Sequence, residues 1–301
     1  DTKESIEAAI RYYIAPSIKG MDLDELPAIM QKMEKCLAKN TTAKAAVDIA
    51  LYDLYAKLQK KPLFRLLGEK EPELVKTKLE TDLTISVNET EEMVRDSLLA
   101  VEKGFHVLKV KVGKGGAKDV ERIREIRNAV GKDVVIRVDA NQGWTREEAV
   151  STITAMEEVG LNIELVEQPV SYHDFKGMQY VTSHVETPIL ADERVFSYED
   201  AIRLMEEKGA DLINIKLMKC TGMREAWKMV TLARALDMKV MVGCMTETSC
   251  AITAASQFSP AVDFADLDGS LLIANDRFKG MEVVKGKITL PDLPGIGVVK
   301  L

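Results

Sequence analysis

The sequence predicts an α/β barrel of the (β/α)8 type, and three observations carry that prediction. Eight short β-prone runs recur at an even pitch between residues 79 and 266. Each but the last is followed by a longer amphipathic stretch, and strict β-α alternation implies parallel strands. An open doubly wound sheet alternates too, but it normally carries a Gly-rich dinucleotide turn, and no GxGxxG occurs here. Eight units in about 190 residues suit the compact end of the closed-barrel size range.

The elements follow in chain order. The first residues read as helices. Ile6, Ala9, Ile10, Tyr13 and Ile14 recur at helical spacing after Thr2, a residue type suited to an N-cap. Leu26, Ile29, Met30, Met33 and Leu37 form a second stripe. Ala46, Val47, Ala50, Leu51, Leu54 and Leu58 form a third that stops before Pro62. The pattern changes near Lys78. Strands are predicted over Leu79–Val87, His106–Val112, Val134–Ala140, Ile163–Glu167, Pro188–Ala191, Leu212–Lys216, Lys239–Gly243 and Val262–Asp266. Helical patterns between them include Glu89–Gly104, Asp119–Val130, Thr145–Val159, Tyr198–Lys208, Met223–Leu236 and Glu247–Phe258. After Asp268 the alternation stops, and a polar, β-prone tail with several Pro and Gly is expected to return to the N-terminal helices. The expected division is a helical part over 1–77, a barrel over 78–268 and the returning segment over 269–301.

Composition narrows the function. A net charge of −7 over 301 residues argues against nucleic-acid binding, which usually shows a basic patch. No apolar run approaches the ~18 residues of a membrane span, and no basic-then-apolar leader is present. The four cysteines, Cys36, Cys220, Cys244 and Cys250, form no CxxC pair and read as free thiols in a reducing, cytoplasmic setting.

In a barrel, chemistry gathers where the strands end. The second predicted strand carries Lys109 and Lys111. The third ends in Asp139, followed by Asn141. The fourth ends in Glu167, the fifth in Asp192 and Glu193, the sixth in Lys216 with Lys219 just beyond, and the eighth in Asp266 and Asp268. Charge at the end of an otherwise apolar strand is costly unless paired or bound to metal. Adjacent strands lie ~4.8 Å apart, so Asp139, Glu167 and Asp192 can converge on one ion. Oxygen-only ligands favour a hard cation such as Mg²⁺. The rival reading is a structural ion-pair cluster with the nearby lysines. Lys109 and Lys111 share one strand face, and Lys216 approaches from the other side of the mouth. This arrangement suits proton transfer at a carbon acid. The cation binds an ionised substrate carboxylate and stabilises the enediolate, one lysine removes the α-proton, and the other returns one to the opposite face. A base must be neutral, and the charge of Lys109 with partial burial is expected to lower the pKa of its neighbour Lys111.

These words resemble the enolase superfamily and, within it, the muconate-lactonizing-enzyme-like subgroup: Lys109-Val-Lys111, Asp139-Ala-Asn141, Val166-Glu167-Gln168-Pro169, Ala191-Asp192-Glu193 and Asn214-Ile215-Lys216. Each is short, but all five in order at strand ends are specific. The resemblance runs through the helical segment ending Lys61-Pro62-Leu63. It implies a modified (β/α)7β barrel with an α+β capping domain. It also implies that Asp139, Glu167 and Asp192 ligate Mg²⁺, that Lys111 and Lys216 are the acid/base pair, that Lys109 contacts the substrate carboxylate, and that Asn141 and Glu193 support them. Asp266-Leu267-Asp268 resembles the DxD word of dipeptide epimerases. Two carboxylates there suit the N-terminal ammonium of a free dipeptide, since charge-assisted hydrogen bonds are the strong ones. The alternative for Asp266 and Asp268 is capping of the following segment. The resemblance therefore points to epimerisation of L-Ala-D/L-Glu-like dipeptides at the C-terminal residue, in a homo-oligomer. Cycloisomerase, succinylbenzoate synthase and acylamino-acid racemase activities share the scaffold. The family's opening antiparallel strands, and the loop between them that closes over substrate, have no counterpart in these residues. They are expected to belong to the protein outside this sequence.

Gly113-Lys114-Gly115-Gly116 lacks P-loop spacing and reads as a barrel loop. His106, His173 and His184 are too scattered to form a site. Cys244 and Met245 face the same mouth and read as packing residues.

Overall fold

The computed structural model describes residues 2–68, 79–113 and 115–301. The expected boundary at 77/78 and Lys114 of the glycine-rich loop lie outside them.

The eight strands pair in one parallel sheet in chain order: β1 (Leu83–Ile85), β2 (Val107–Lys111), β3 (Val135–Asp139), β4 (Ile163–Glu167), β5 (Ile189–Ala191), β6 (Leu212–Lys216), β7 (Lys239–Gly243) and β8 (Phe264–Asp266). A parallel bridge between Thr81 and Ala265 links the two edges, so the sheet is curled into a nearly closed ring. A helix follows each strand from β1 to β7. Short apolar strands buried on both faces give runs without alternation, and β4, β6 and β7 lie where the sequence predicts them.

Two features differ from the expected elements. The helix after β2 begins at Gly116 rather than Asp119, because the Asp119 carboxylate folds back to accept the backbone N–H groups of Gly113 and Gly115. The helix expected after β4 spans Phe175–His184 and is capped by Asp174. The first N-terminal stripe is broken by a wider π-type turn over Ile10–Ile14 between helices Lys3–Ala9 and Ala15–Ile18.

Inside the ring the side chains change character along the barrel axis. Leu165, Leu190, Leu212 and Met241 form a separate apolar cluster with Phe264 packed on it. Toward the C-terminal ends of the strands the interior becomes ionic. The strands are therefore not apolar apart from their ends: Arg137, within β3, is buried and pairs with Asp82 (2.9 Å) and Glu164 (2.6 Å). The tail packs against the N-terminal helices. Gly295 bridges Pro62, Leu63 donates to the Gly295 carbonyl (2.8 Å), and Ile296 N–H donates to Asp53 (2.9 Å) in helix Thr41–Leu58. Among the described residues no helix is long and apolar enough to cross a membrane, and all four cysteines are free.

Candidate active site

The strand ends are held in step by the ladder. Lys111 is registered opposite Asp139, and Asp139 opposite Glu167. Lys216 is opposite Gly243, and Gly243 opposite Asp266. Lys111 on β2 and Lys216 on β6 are four strands apart in a ring of eight, which puts them on opposite walls of the mouth. Between them lies a cavity of about 300 Å³ whose lining includes Lys109, Lys111, Asp192, Lys216, Asp266 and Asp268.

Lys109 is buried at the centre of the network. Its ammonium donates to Asp266 (2.7 Å) and pairs with Glu167 (2.7 Å) and Asp139 (3.1 Å). Burial works against that charge, but Asp266, Glu167 and Asp139 outweigh it and hold the amine well above its ordinary pKa. Lys111 donates to Asp139 (2.6 Å) and to Asn141 (2.8 Å), and Asn141 donates onward to Glu193 (3.2 Å). Lys216 donates to Asp192 (2.7 Å). Burial disfavours its ammonium, yet Asp192 and Glu167 shift it upward, away from the neutral form a base needs.

The carboxylates divide by how much positive charge reaches them. Burial opposes the charge of Asp192, but Lys219 and Lys216 hold its carboxyl far below the usual range. Glu167, pushed by burial and by the Asp139 charge, rises to about 7. Asp266 is lowered, Lys109 overcoming burial. Its neighbour Asp268 is raised by burial and by Asp266, while its Oδ2 accepts the Thr84 N–H at 2.7 Å.

Three participants had no role in the sequence reading. Lys219 is buried, and its ammonium donates to the Asp192 carboxylate and carbonyl and to the Asn214 carbonyl. Asn214 donates to Glu167 at 2.9 Å. The Gln168 side-chain oxygen accepts the N–H groups of Asp192 (3.0 Å) and Arg194 (3.1 Å), joining the ends of β4 and β5. Asn214 and Gln168 lie inside the motif words that were read, and Lys219 lies three residues past Lys216. The loops that carry the site are bent hard: Asn141, Gln142, Gln168 and Thr221 all have positive φ, an uncommon conformation that concentrates at functional sites.

The donor set suits a hard divalent cation. It is all oxygen and deeply buried, and burial and the Asp139 charge raise the Glu167 pKa despite the Lys109 ammonium beside it. The one group of three possible ligands whose atoms lie within 4.8 Å of one another, among the described residues, is instead Cys244, Asp266 and Asp268. Burial and the two aspartates keep that thiol protonated, its pKa well above the ordinary value, which makes it a poor partner for such an ion. Between Asp139 and Glu167 the space is taken by the Lys109 ammonium.

A ring of eight parallel strands, with carboxylates and opposed lysines at its C-terminal mouth, defines a barrel of the enolase type. Residues 92–299 match the family model described as enolase C-terminal domain-like, and residues 1–68 match that of the mandelate racemase / muconate lactonizing enzyme N-terminal domain. The chain belongs to this enolase superfamily. An L-Ala-D/L-Glu epimerase from Clostridium acetobutylicum is 48% identical over 99% of this chain and 83% of its own length. The fold is similar to that of a substrate-liganded L-Ala-D/L-Glu epimerase from Bacillus subtilis, with a TM-score of 0.96 and 43% identity over 100% of this chain and 84% of that one. It is also similar to a dipeptide epimerase from Enterococcus faecalis complexed with Mg and L-Leu-L-Tyr, with a TM-score of 0.93 and 37% identity over 99% and 84% of the two chains.

Proposed function

We propose that this chain is a Mg²⁺-dependent dipeptide epimerase that inverts the α-carbon of the C-terminal residue of L-Ala-D/L-Glu-like dipeptides, with Lys111 and Lys216 as the two acid/base groups. The observation that carries the reading is the pair of amines on β2 and β6, facing each other across a cavity whose β8 wall presents Asp266 and Asp268. The similarity to dipeptide epimerases along nearly the whole chain supports it. The N-terminal helices and the returning tail are taken as the cap over this mouth.

Asp139, Glu167 and Asp192 would hold the ion, with Asn214 and Lys219 fixing two of them from behind. When bound, Mg²⁺ supplies Lewis-acid charge for the substrate carboxylate and satisfies carboxylates that otherwise keep the lysines protonated. The chain's own residues do the rest. Asp266 and Asp268 grip the dipeptide's ammonium and fix which bond faces the lysines. Lys111 or Lys216, whichever faces the α-hydrogen, takes that proton at its Nζ, and the opposite ammonium delivers one to the other face. A neutral lysine is required on the abstracting side, so the shift that satisfied carboxylates bring is part of the reading.

Asp268→Asn tests the ammonium contact. Losing a charge-assisted bond of about 1.5–3 kcal/mol should cost roughly 10–100-fold in kcat/KM on L-Ala-L-Glu. Activity on N-acyl amino acids, which carry no ammonium, should not fall. Unchanged dipeptide turnover in the variant would remove the basis for this substrate class.

A further inference from the structure

We propose that Asp48, in the N-terminal helix Thr41–Leu58, is a positioning residue for Lys216: it fixes the far end of the turn that runs from Lys216 at the end of β6 to the helix starting at Met223. The proposal rests on the assignment of Lys216 above as an acid/base group.

Three helices around this barrel are capped by side chains next to them in sequence. Thr145 caps Arg146–Glu158, Asp174 caps Phe175–His184 and Ser197 caps Tyr198–Glu206. Helix Met223–Ala235 is different. Its cap position is Gly222, which has no side chain to offer. The carboxylate that accepts the Met223 N–H is Asp48 Oδ1, 175 residues away in sequence, and the same side chain accepts the Arg224 N–H. Two of the free donors that every helix start leaves are thereby satisfied from another part of the chain.

The fit is specific. Gly222 has a φ of +118°, and a Cβ on it would sit 2.4 Å from Asp48 Oδ1. Asp48 is 2% exposed. Burial pushes its pKa up to about 7, with the two backbone donors and Arg224 pulling the other way and Glu225 adding to the rise. Tyr52 on its own helix also feels the Asp48 charge. A carboxyl kept in so unfavourable a place calls for a task that a smaller side chain would not perform.

The task is visible in the turn. At its near end the Lys219 and Cys220 N–H groups donate to the Lys216 carbonyl (2.9 and 3.1 Å), and the Lys219 ammonium locks onto Asp192 and Asn214. Thr221, at φ +67°, and Gly222 then reverse the chain into the helix. Asp48 closes the far end. Lys216 is thus held between its own β-ladder and a contact from the N-terminal helices.

The test is α-hydrogen exchange in D₂O with Mg²⁺, measured separately on L-Ala-L-Glu and L-Ala-D-Glu. Lys216→Ala identifies the epimer whose α-proton Lys216 removes, and Lys111→Ala identifies the other. Asp48→Ala should slow exchange of the Lys216 epimer by tenfold or more, leave the Lys111 epimer within about threefold, and lower kcat far more than it raises KM. Asp48→Asn, which keeps an acceptor oxygen, should restore exchange. Equal losses on both epimers would make Asp48 a general structural residue and overturn the proposal, as would no loss at all. If Asp48→Ala does not fold, Asp48→Ser replaces it; failure of both to fold would likewise overturn the proposal. If neither lysine variant shows a one-sided loss, the acid/base assignment itself fails, which is a separate result.

Discussion

The chemistry of the site depends on charge that is almost balanced among buried groups. Asp139, Glu167, Asp192, Asp266 and Asp268 face the ammonium groups of Lys109, Lys111, Lys216 and Lys219, and the imbalance settles on Glu167 and Asp268, the two of these five acids with raised pKa values. A raised acid is protonated below its folded pKa and must release that proton before it can ligate a cation. Mg²⁺ binding should therefore release protons at pH 6 and weaken by up to tenfold for each pH unit below about 7, the pKa to which burial and Asp139 bring Glu167. Calorimetry in buffers of different ionisation enthalpy measures that release. Glu167→Gln should bind the ion more weakly and lose most of the pH dependence between pH 5.5 and 7.5. Proton-independent binding at pH 6 would separate Glu167 from the cation.

At the scale of elements, each functional lysine precedes a turn that is braced by a buried acid. Asp119 braces the turn after Lys111 by accepting from Gly113, Gly115 and the Trp144 indole (3.0, 3.2 and 3.1 Å), which also ties the β2 and β3 loops together. Gly113 has a φ of +96°, and a Cβ there would lie 2.3 Å from the Ala140 carbonyl oxygen, a backbone atom that cannot step aside. Gly113→Ala should cost roughly 2–3 kcal/mol of stability by urea denaturation and should lower kcat by displacing Lys111. A variant as stable and active as the parent would mean that the turn relaxes freely.

The same scale shows what a sequence can and cannot reveal. The ends of β4, β6 and β7 were legible because each is an apolar run closed abruptly by a charge or a glycine. Lys111, Asp139, Glu167, Asp192 and Lys216 were legible because their spacing matches one βα unit. Arg137 and Glu164 were not, since nothing in a strand's own pattern distinguishes a packed barrel interior from one that holds an ion pair. Lys219 and Gln168 were hidden for another reason: their partners lie 27 and 24 residues away, across a strand pairing that local periodicity does not encode. Asp48 and Met223 are farther apart still, and nothing local to either residue points to the other.

Over the whole molecule, the ring is fastened at several levels. The apolar cluster around Leu165, Leu190 and Leu212 fills one end, the ionic network fills the other, and the tail returns through Gly295 and Asp53 to the N-terminal helices. Burying so many charges is costly unless every one is paired, so the fold should be sensitive to what completes the network. A ligand that binds only the folded state stabilises it by about 2.7 kcal/mol at 100 times its Kd. Saturating Mg²⁺ should raise the thermal midpoint by several degrees over the same protein in EDTA, and Asp139→Asn should abolish most of that difference. Identical midpoints with and without the ion would argue that lysines alone complete the network.

The central claim is that two lysines act on opposite faces of one carbon. It is tested most directly by incubating L-Ala-L-Glu with the protein and Mg²⁺ in D₂O and following both epimers by NMR and mass. The account predicts that L-Ala-D-Glu forms with one deuterium at its α-carbon, and that Lys111→Ala and Lys216→Ala each abolish epimerisation while retaining α-exchange of a different epimer. Formation of the D-Glu epimer without deuterium, or loss of exchange from the same epimer in both variants, would contradict it.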